Sequence, residues 1–265
     1  NAYNGKIARI NLTTGEIKTE ALDMELAEKF IGGRGLGTKM LYDEGIAKVE
    51  PLSPENKLIY ITGPMTGTKS PTAGRYMVVT KSPLTGMIAC SNSGCKWGGK
   101  LKYAGWDAVI VEGKAEKPSY INIEDDKIEI LDAAPYIGMM SEKIDEELKK
   151  VHPDCSVLNI GPAGEHLSLL AAIMNDKDRA AGRSGVGAVM GSKNLKAITV
   201  TATKKVIPAA DEEALKAATK ECNRKIKENG VTGGGLPTYG TAVLVNIINN
   251  TGSFPTRNWQ ESYYE

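Results

Sequence analysis

The chain has 265 residues, 41% hydrophobic and 25% charged, with 33 lysines and arginines against 32 acids. A net charge of +1 supplies no field for a polyanion, so nucleic acid is excluded as an expected partner. No apolar run reaches the roughly 18 residues of a membrane span, and Asn1-Ala2-Tyr3-Asn4-Gly5 lacks a charged-then-apolar export pattern, so no membrane association and a cytoplasmic location are expected.

In chain order, residues 6–12 alternate as a strand, Thr13-Thr14-Gly15 makes a hairpin turn, and residues 16–21 return. Asp23 is placed to cap a helix through Met24, Ala27, Phe30 and Ile31 that stops at Gly32-Gly33. Strands are predicted at 57–62, 75–81 and 107–113. A hairpin, 119–123 to 127–131, turns on Asp125-Asp126. Ser141 caps a predicted helix with Ile144, Leu148 and Val151 at helical spacing, and strands follow at 156–160 and 196–203. The pattern is hairpin-rich with few helices: an α+β fold of mixed β-sheets followed by a short helical segment.

The texture changes after Pro208. Asp211 caps a helix striped by Leu215, Ala218, Cys222 and Ile226, ended by Gly230. A Gly233-Gly234-Gly235-Leu236-Pro237 loop leads to a second helix over 242–250. The expected domains are therefore 1–208 and 209–265, with the boundary near 207–210. Too few elements precede Tyr263-Tyr264-Glu265 for a second core, so the chain is expected to be truncated.

The first domain carries one set of short signals twice in the same order. Gly63-Pro64, Ala73-Gly74-Arg75, Ser93-Gly94, Lys100 and the strand from Ala108 are followed by Gly161-Pro162, Ala181-Gly182-Arg183, Ser184-Gly185, Lys193 and the strand from Ala197. An internal duplication is expected. Each copy puts an arginine beside glycines, where backbone N–H groups and a guanidinium can hold an anion. The alternative is that the glycines only make turns while the arginines pair with surface acids. Gly32-Gly33-Arg34-Gly35-Leu36-Gly37 follows a helix instead of a strand, so it is read as a helix C-cap and turn, not a dinucleotide loop. Cys90, Cys95, Cys155 and Cys222 form no C-x-x-C pair, and His152 and His166 lie apart, so no closed zinc or iron–sulfur site is expected from this chain. Cys90 and Cys95 are a redox pair or, more simply, reduced core residues.

Several blocks resemble the aldehyde:ferredoxin oxidoreductase family of tungsten bis-pterin enzymes. They are Pro51-Leu52-Ser53-Pro54-Glu55-Asn56, Gly74-Arg75-Tyr76 with Thr80-Lys81-Ser82-Pro83-Leu84-Thr85-Gly86, and Gly161-Pro162-Ala163-Gly164-Glu165. Ala171-Ala172-Ile173-Met174-Asn175-Asp176, the run from Arg179 to Ile198, and Gly233-Gly234-Gly235-Leu236-Pro237 with the stretch from Tyr239 to Asn249 join them. The resemblance implies a tungsten held by two pterin dithiolenes, and oxidation of aldehydes to carboxylic acids with ferredoxin as electron acceptor. Molybdenum in place of tungsten is not excluded.

By motif match, Arg75, Asn92, Gly94, Arg179, Ala180, Gly182 and Arg183 would contact the cofactor. The carbonyls of Asn92 and Ala180 would hold a magnesium ion between the two phosphates, as a hard cation prefers oxygen ligands. The family's [4Fe-4S] cysteines and its acid and histidine near tungsten lie beyond this chain, so no catalytic residue is named and the chain alone is expected to be inactive. Cys95 stands where the family often has glycine, and Trp97 is read as core in preference to a pterin-stacking residue. A homodimer is compatible with this reading. The alternative function is a standalone pterin- or phosphate-binding module, or the platform subunit of a split enzyme.

Overall fold

A computed structural model describes residues 2–205, 207 and 209–265; Asn1 of the expected signal-free start and Pro208, the expected end of the first domain, lie outside the described residues. The chain divides into two compact units, Asn1–Thr68 with Thr72–Ala210, and Lys69–Pro71 with Asp211–Glu265.

The first unit is built from two halves. In the first half, β1 (Lys6–Asn11) and β2 (Ile17–Ala21) form a hairpin whose turn uses Gly15 at φ +73°. Helices α1 (Met24–Phe30) and α2 (Gly33–Asp43) follow, then β3 (Leu58–Ile61), β4 (Tyr76–Lys81), β5 (Ile88–Ser93), α3 (Trp97–Tyr103) and β6 (Ala108–Glu112). The second half repeats the plan: the hairpin β7 (Ser119–Glu124) and β8 (Lys127–Asp132), then α4 (Ser141–Val151), β9 (Ser156–Asn159) and α5 (Pro162–Glu165). It ends with β10 (Ile173–Asn175), β11 (Arg179–Ala181), α6 (Val186–Ser192) and β12 (Leu195–Thr201).

Each half makes one six-stranded sheet, ordered β2-β1-β6-β3-β4-β5 and β8-β7-β12-β9-β10-β11. Only β1–β6 and β7–β12 run parallel; the other neighbours are antiparallel in both sheets. Adding six to each strand number converts one sheet into the other. The expected duplication is therefore present in the strand order.

The inner faces of the sheets share one core. Tyr60, Tyr76, Val78 and Val109 of the first half bury with Ile121, Leu158, Ile173 and Ile198 of the second, and Trp97 and Leu101 of α3 join Val189 and Met190 of α6 among them. Trp97 has no exposed surface, lies 4.8 Å from the Tyr76 ring and donates its indole N–H to the Ile198 carbonyl, which makes it core as expected. The outer faces are covered by α2 through Leu36 and Leu41, and by α4 through Ile144 and Leu148. Buried Lys193, directly after α6, crosses between the halves: its Nζ donates to the carbonyls of Pro54 (3.2 Å), Asn56 (2.5 Å) and Gly113 (3.1 Å).

In this first unit four expectations are corrected. Gly32–Gly37 is not a C-cap and turn. Ile31, at φ 65°, ends α1, and the glycines begin α2. A Cβ on Gly35 would come within 2.6 Å of the Phe30 carbonyl, and one on Gly37 within 2.8 Å of Val79, so their bareness permits both the sharp restart and the close helix–sheet approach. Ser141 is the first helical residue instead of the cap, which falls on Met140 without a side-chain bond. Ala73-Gly74-Arg75 and Ala181-Gly182-Arg183 are not equivalent positions, because the first precedes β4 and the second overlaps the end of β11. Lys100 lies within α3 whereas Lys193 follows α6, so that pair also falls out of the repeat.

In the second unit, Asp211 caps α7 (Glu212–Glu228) by accepting from the Ala214 N–H at 2.8 Å, as expected. The glycine run forms a π-helical turn, Val231–Gly235, instead of a loop, and passes into α8 (Leu236–Tyr239). A 3-10 turn, Gly240–Leu244, precedes α9 (Val245–Asn250). None of these helices buries a residue. No helix among the described residues is long and apolar enough to cross a membrane.

Candidate functional site

β5 ends one sheet and β11 ends the other. Where these edges meet, a cavity of about 460 Å³ opens, walled by Thr72, Gly74, Arg75, Ser93, Gly94 and Cys95 of the first half and by residues 178–180 of the second. Arg75, Gly94, Arg179 and Ala180 of the expected site are thus brought together. Asn92 joins them through its Oδ1, which accepts from Arg75 Nη1 at 2.6 Å. Gly182 and Arg183 are not in the cavity wall. They follow β11, and the Arg183 N–H donates to Ser91 Oγ of β5 at 3.1 Å, tying the two sheet edges together.

Among the described residues, no ion pair involves Arg75, Arg179 or Arg183, whereas Arg9, Arg224 and Arg257 are each paired with glutamate. The alternative that these arginines serve surface acids is therefore set aside. Arg34 also has no ion pair among the described residues, but it lines no wall of this cavity. Two guanidiniums lining one polar cavity suit an anion that accepts several N–H bonds. Glycine assists at position 74, where a Cβ would stand 2.9 Å from the Cys95 carbonyl.

Cys95 adopts φ 75°, a left-handed conformation that glycine takes more easily. Its thiol is free and exposed, while Cys90 is half-buried with its sulfur 3.3 Å from the Thr38 hydroxyl. The two are not a disulfide.

Sequence reasoning gave no role to Asn175 and Asp176, which hold this loop from the other sheet. Asn175 Oδ1 accepts from Ser93 Oγ (2.5 Å) and from the Tyr76 hydroxyl (3.1 Å), and Asn175 Nδ2 donates to the Gly94 carbonyl (2.8 Å). Burial pushes the Tyr76 phenol up from its ordinary value, keeping it a neutral donor to Asn175. Asp176 Oδ2 accepts the N–H groups of Lys96 (2.9 Å) and Trp97 (3.2 Å), and Asp176 Oδ1 accepts from Ser156 Oγ. The only sequence signal for them was their place in a recognisable block.

A larger concavity, about 680 Å³, is walled only by residues 254–265 of the second unit. It is the inside of one short hairpin, with the Arg257–Glu261 pair satisfied at 3.1 Å, and assembles no reactive group.

The family model "Aldehyde ferredoxin oxidoreductase, N-terminal domain" matches residues 7–202. The chain belongs to the aldehyde ferredoxin oxidoreductase family. A second model, for domains 2 and 3 of aldehyde ferredoxin oxidoreductase, matches residues 217–265. The tungsten-containing aldehyde ferredoxin oxidoreductase of Pyrococcus abyssi is 54% identical over 265 aligned positions that cover 99% of this chain and 44% of that protein. A WOR-like subunit of an aliphatic sulfonate oxidoreductase from Pyrococcus furiosus is 35% identical, over 100% of this chain and 44% of its own length. The chain thus spans less than half the length of these relatives. Among solved structures, the BamBC active-site complex of benzoyl coenzyme A reductase, bound to 1,5-dienoyl-CoA, superposes with a TM-score of 0.83 at 38% identity, covering 85% of this chain and 35% of that one. The α+β architecture is therefore that of a family member.

Proposed function

We propose that the protein is the N-terminal cofactor platform of a tungsten bis-pterin aldehyde:ferredoxin oxidoreductase, and that the β5–β11 cavity receives the phosphate ends of the two pterins. The observation that carries this reading is the pair Arg75 and Arg179, without an ion partner among the described residues, lining the cavity where the two repeated sheets meet. When bound, the tungsten–dithiolene group supplies the two-electron oxidation of an aldehyde to a carboxylic acid, with oxygen taken from water.

The chain's own contribution is binding and orientation. Arg75, Arg179 and Arg183 offset the phosphate charge, and Gly94 and Gly182 leave their backbone N–H groups approachable. The carbonyls of Asn92 and Ala180 would be the oxygen ligands for a magnesium ion. Electron exit through a [4Fe-4S] cluster to ferredoxin, and the groups that handle the aldehyde, belong to polypeptide outside these residues. The location is cytoplasmic, and a homodimer is compatible with the arrangement. Relatives named for aldehyde, aliphatic sulfonate and benzoyl-CoA chemistry share this half, which supports a common platform with substrate choice made elsewhere.

The test is the tungsten and magnesium content of protein produced with cofactor supply. Arg75→Ala and Arg183→Ala should each lower the metal-to-protein ratio severalfold while circular dichroism stays at the parent value. Ratios equal to the parent's would overturn the assignment. The 265-residue chain alone should show no viologen-linked aldehyde oxidation.

A further inference from the structure

The cavity's two walls come from different halves of the duplicated unit, so something must set the distance between them. Part of the first wall is the run from the end of β5 into α3, where each residue from 93 to 97 except Cys95 is bonded to Asn175 or Asp176: Ser93 and Gly94 to Asn175, Lys96 and Trp97 to Asp176. Arg75, which precedes β4, is tied to the same frame through Asn92 Oδ1 and through its neighbour Tyr76, whose hydroxyl donates to Asn175. Asn175 and Asp176 end β10 and open the turn into Asp178, Arg179 and Ala180, which form the second wall. Asp176 and Lys177 both take left-handed backbone conformations there, at φ 47° and 68°. Asn175 has no exposed surface, and its side chain bonds within the protein through both Oδ1 and Nδ2, leaving it no capacity to reach a ligand.

We infer that Asn175 and Asp176 are positioning residues that fix the path of the anion-binding loop and thereby the spacing of Arg75 from Arg179. The inference rests on the anion-cavity reading above and names what holds that cavity in register. Asp176 supplies a carboxylate oxygen to two successive backbone N–H groups at the start of α3, a charge-assisted contact that a neutral group reproduces only in part. Asn175 clamps the loop on the other side of Cys95. Held at both ends, Cys95 is left with the positive φ that it shows.

Two readouts on the whole 265-residue protein test this. Amide hydrogen exchange reports loop position without any ligand, and calorimetric titration with inorganic pyrophosphate reports the cavity. Asp176→Ala should speed exchange at Lys96 and Trp97 by about tenfold or more, leave the Ile59 and Val109 amides at parent protection, and weaken pyrophosphate by about tenfold. Asp176→Asn, which keeps one acceptor oxygen but not the charge, should recover part of both effects. Asn175→Asp preserves shape and the Ser93 acceptor but sets a carboxylate against the Gly94 carbonyl; it should loosen the Gly94–Cys95 amides and weaken pyrophosphate to a similar extent. Uniform loss of protection across the core, or parent-like exchange at residues 94–97, would overturn the positioning role. So would parent-like pyrophosphate affinity in Asp176→Ala. If the parent protein does not bind pyrophosphate, the anion reading fails by itself, and the exchange pattern still decides what Asn175 and Asp176 do.

Discussion

Lys193 is fully buried and meets three backbone carbonyls, with no carboxylate at ion-pair distance among the described residues. Burial pushes its ammonium down to about 8 from the ordinary lysine value. Lys193→Met removes all three donors and strands the carbonyls of Pro54, Asn56 and Gly113, so urea unfolding should show a loss of about 3 kcal/mol near neutral pH. The sign with pH follows from the depressed value. Between about 8 and about 10.4 the unfolded chain still holds a proton that the folded chain has released, so this lysine's contribution grows as pH rises through that window. The stability difference between parent and Lys193→Met should therefore widen toward pH 10. A flat difference would show that the three carbonyls keep the ammonium charged. None of this is legible in the sequence, where Lys193 is one lysine among many: its partners lie 80 to 139 positions away. Asn175 is hidden for the same reason. Arg75 and Arg183 could be singled out because glycines stand beside them.

Among the elements, those with a clear period could be read directly: both hairpins, the strands on either side of the shared core, and helix α7. The elements missed have no such period. β10 and β11 are three residues each, too short to alternate. β5, Ile-Ala-Cys-Ser-Asn-Ser, is polar because it is an edge strand beside a cavity. α6 is buried on nearly every side, so Val-Gly-Ala-Val-Met-Gly-Ser shows no amphipathic stripe. Its glycines answer to packing: a Cβ on Gly191 would lie 2.0 Å from the Gly164 carbonyl oxygen of α5. Gly191→Ala should thus cost more than about 3 kcal/mol in chemical denaturation, despite alanine's better helix propensity. At α7 the effect is smaller, since Asp211→Ala removes one cap and should cost about 1 kcal/mol of local helix stability, read as faster amide exchange in the first turn.

For the whole first unit, the decisive feature is that neither sheet has an inner core of its own. Tyr60 donates to Met190 Sδ at 3.4 Å and Tyr76 to Asn175 at 3.1 Å, so the aromatic residues of one half are completed by the other. The first half made alone, ending before β7, should lack near-ultraviolet dichroism and bind a hydrophobic dye. Mixing it with the second half should restore the aromatic signal; two halves that each fold independently would refute the shared core. The duplication was legible as a list of recurring short signals, although two of the matched pairs proved to be coincidences. Strand order, not local sequence, identifies the true repeat.

That strand order has a consequence for how the chain is made. In each half the strand synthesised last, β6 or β12, is inserted between strands synthesised earlier. A nascent chain that has emerged only as far as β5 holds a hairpin and a three-stranded meander, each with an open edge facing a gap. The second half repeats this interval until Leu195–Thr201 emerges. Delay on the ribosome before either strand prolongs the exposure of sticky edges, so these two intervals are where aggregation competes with folding during synthesis.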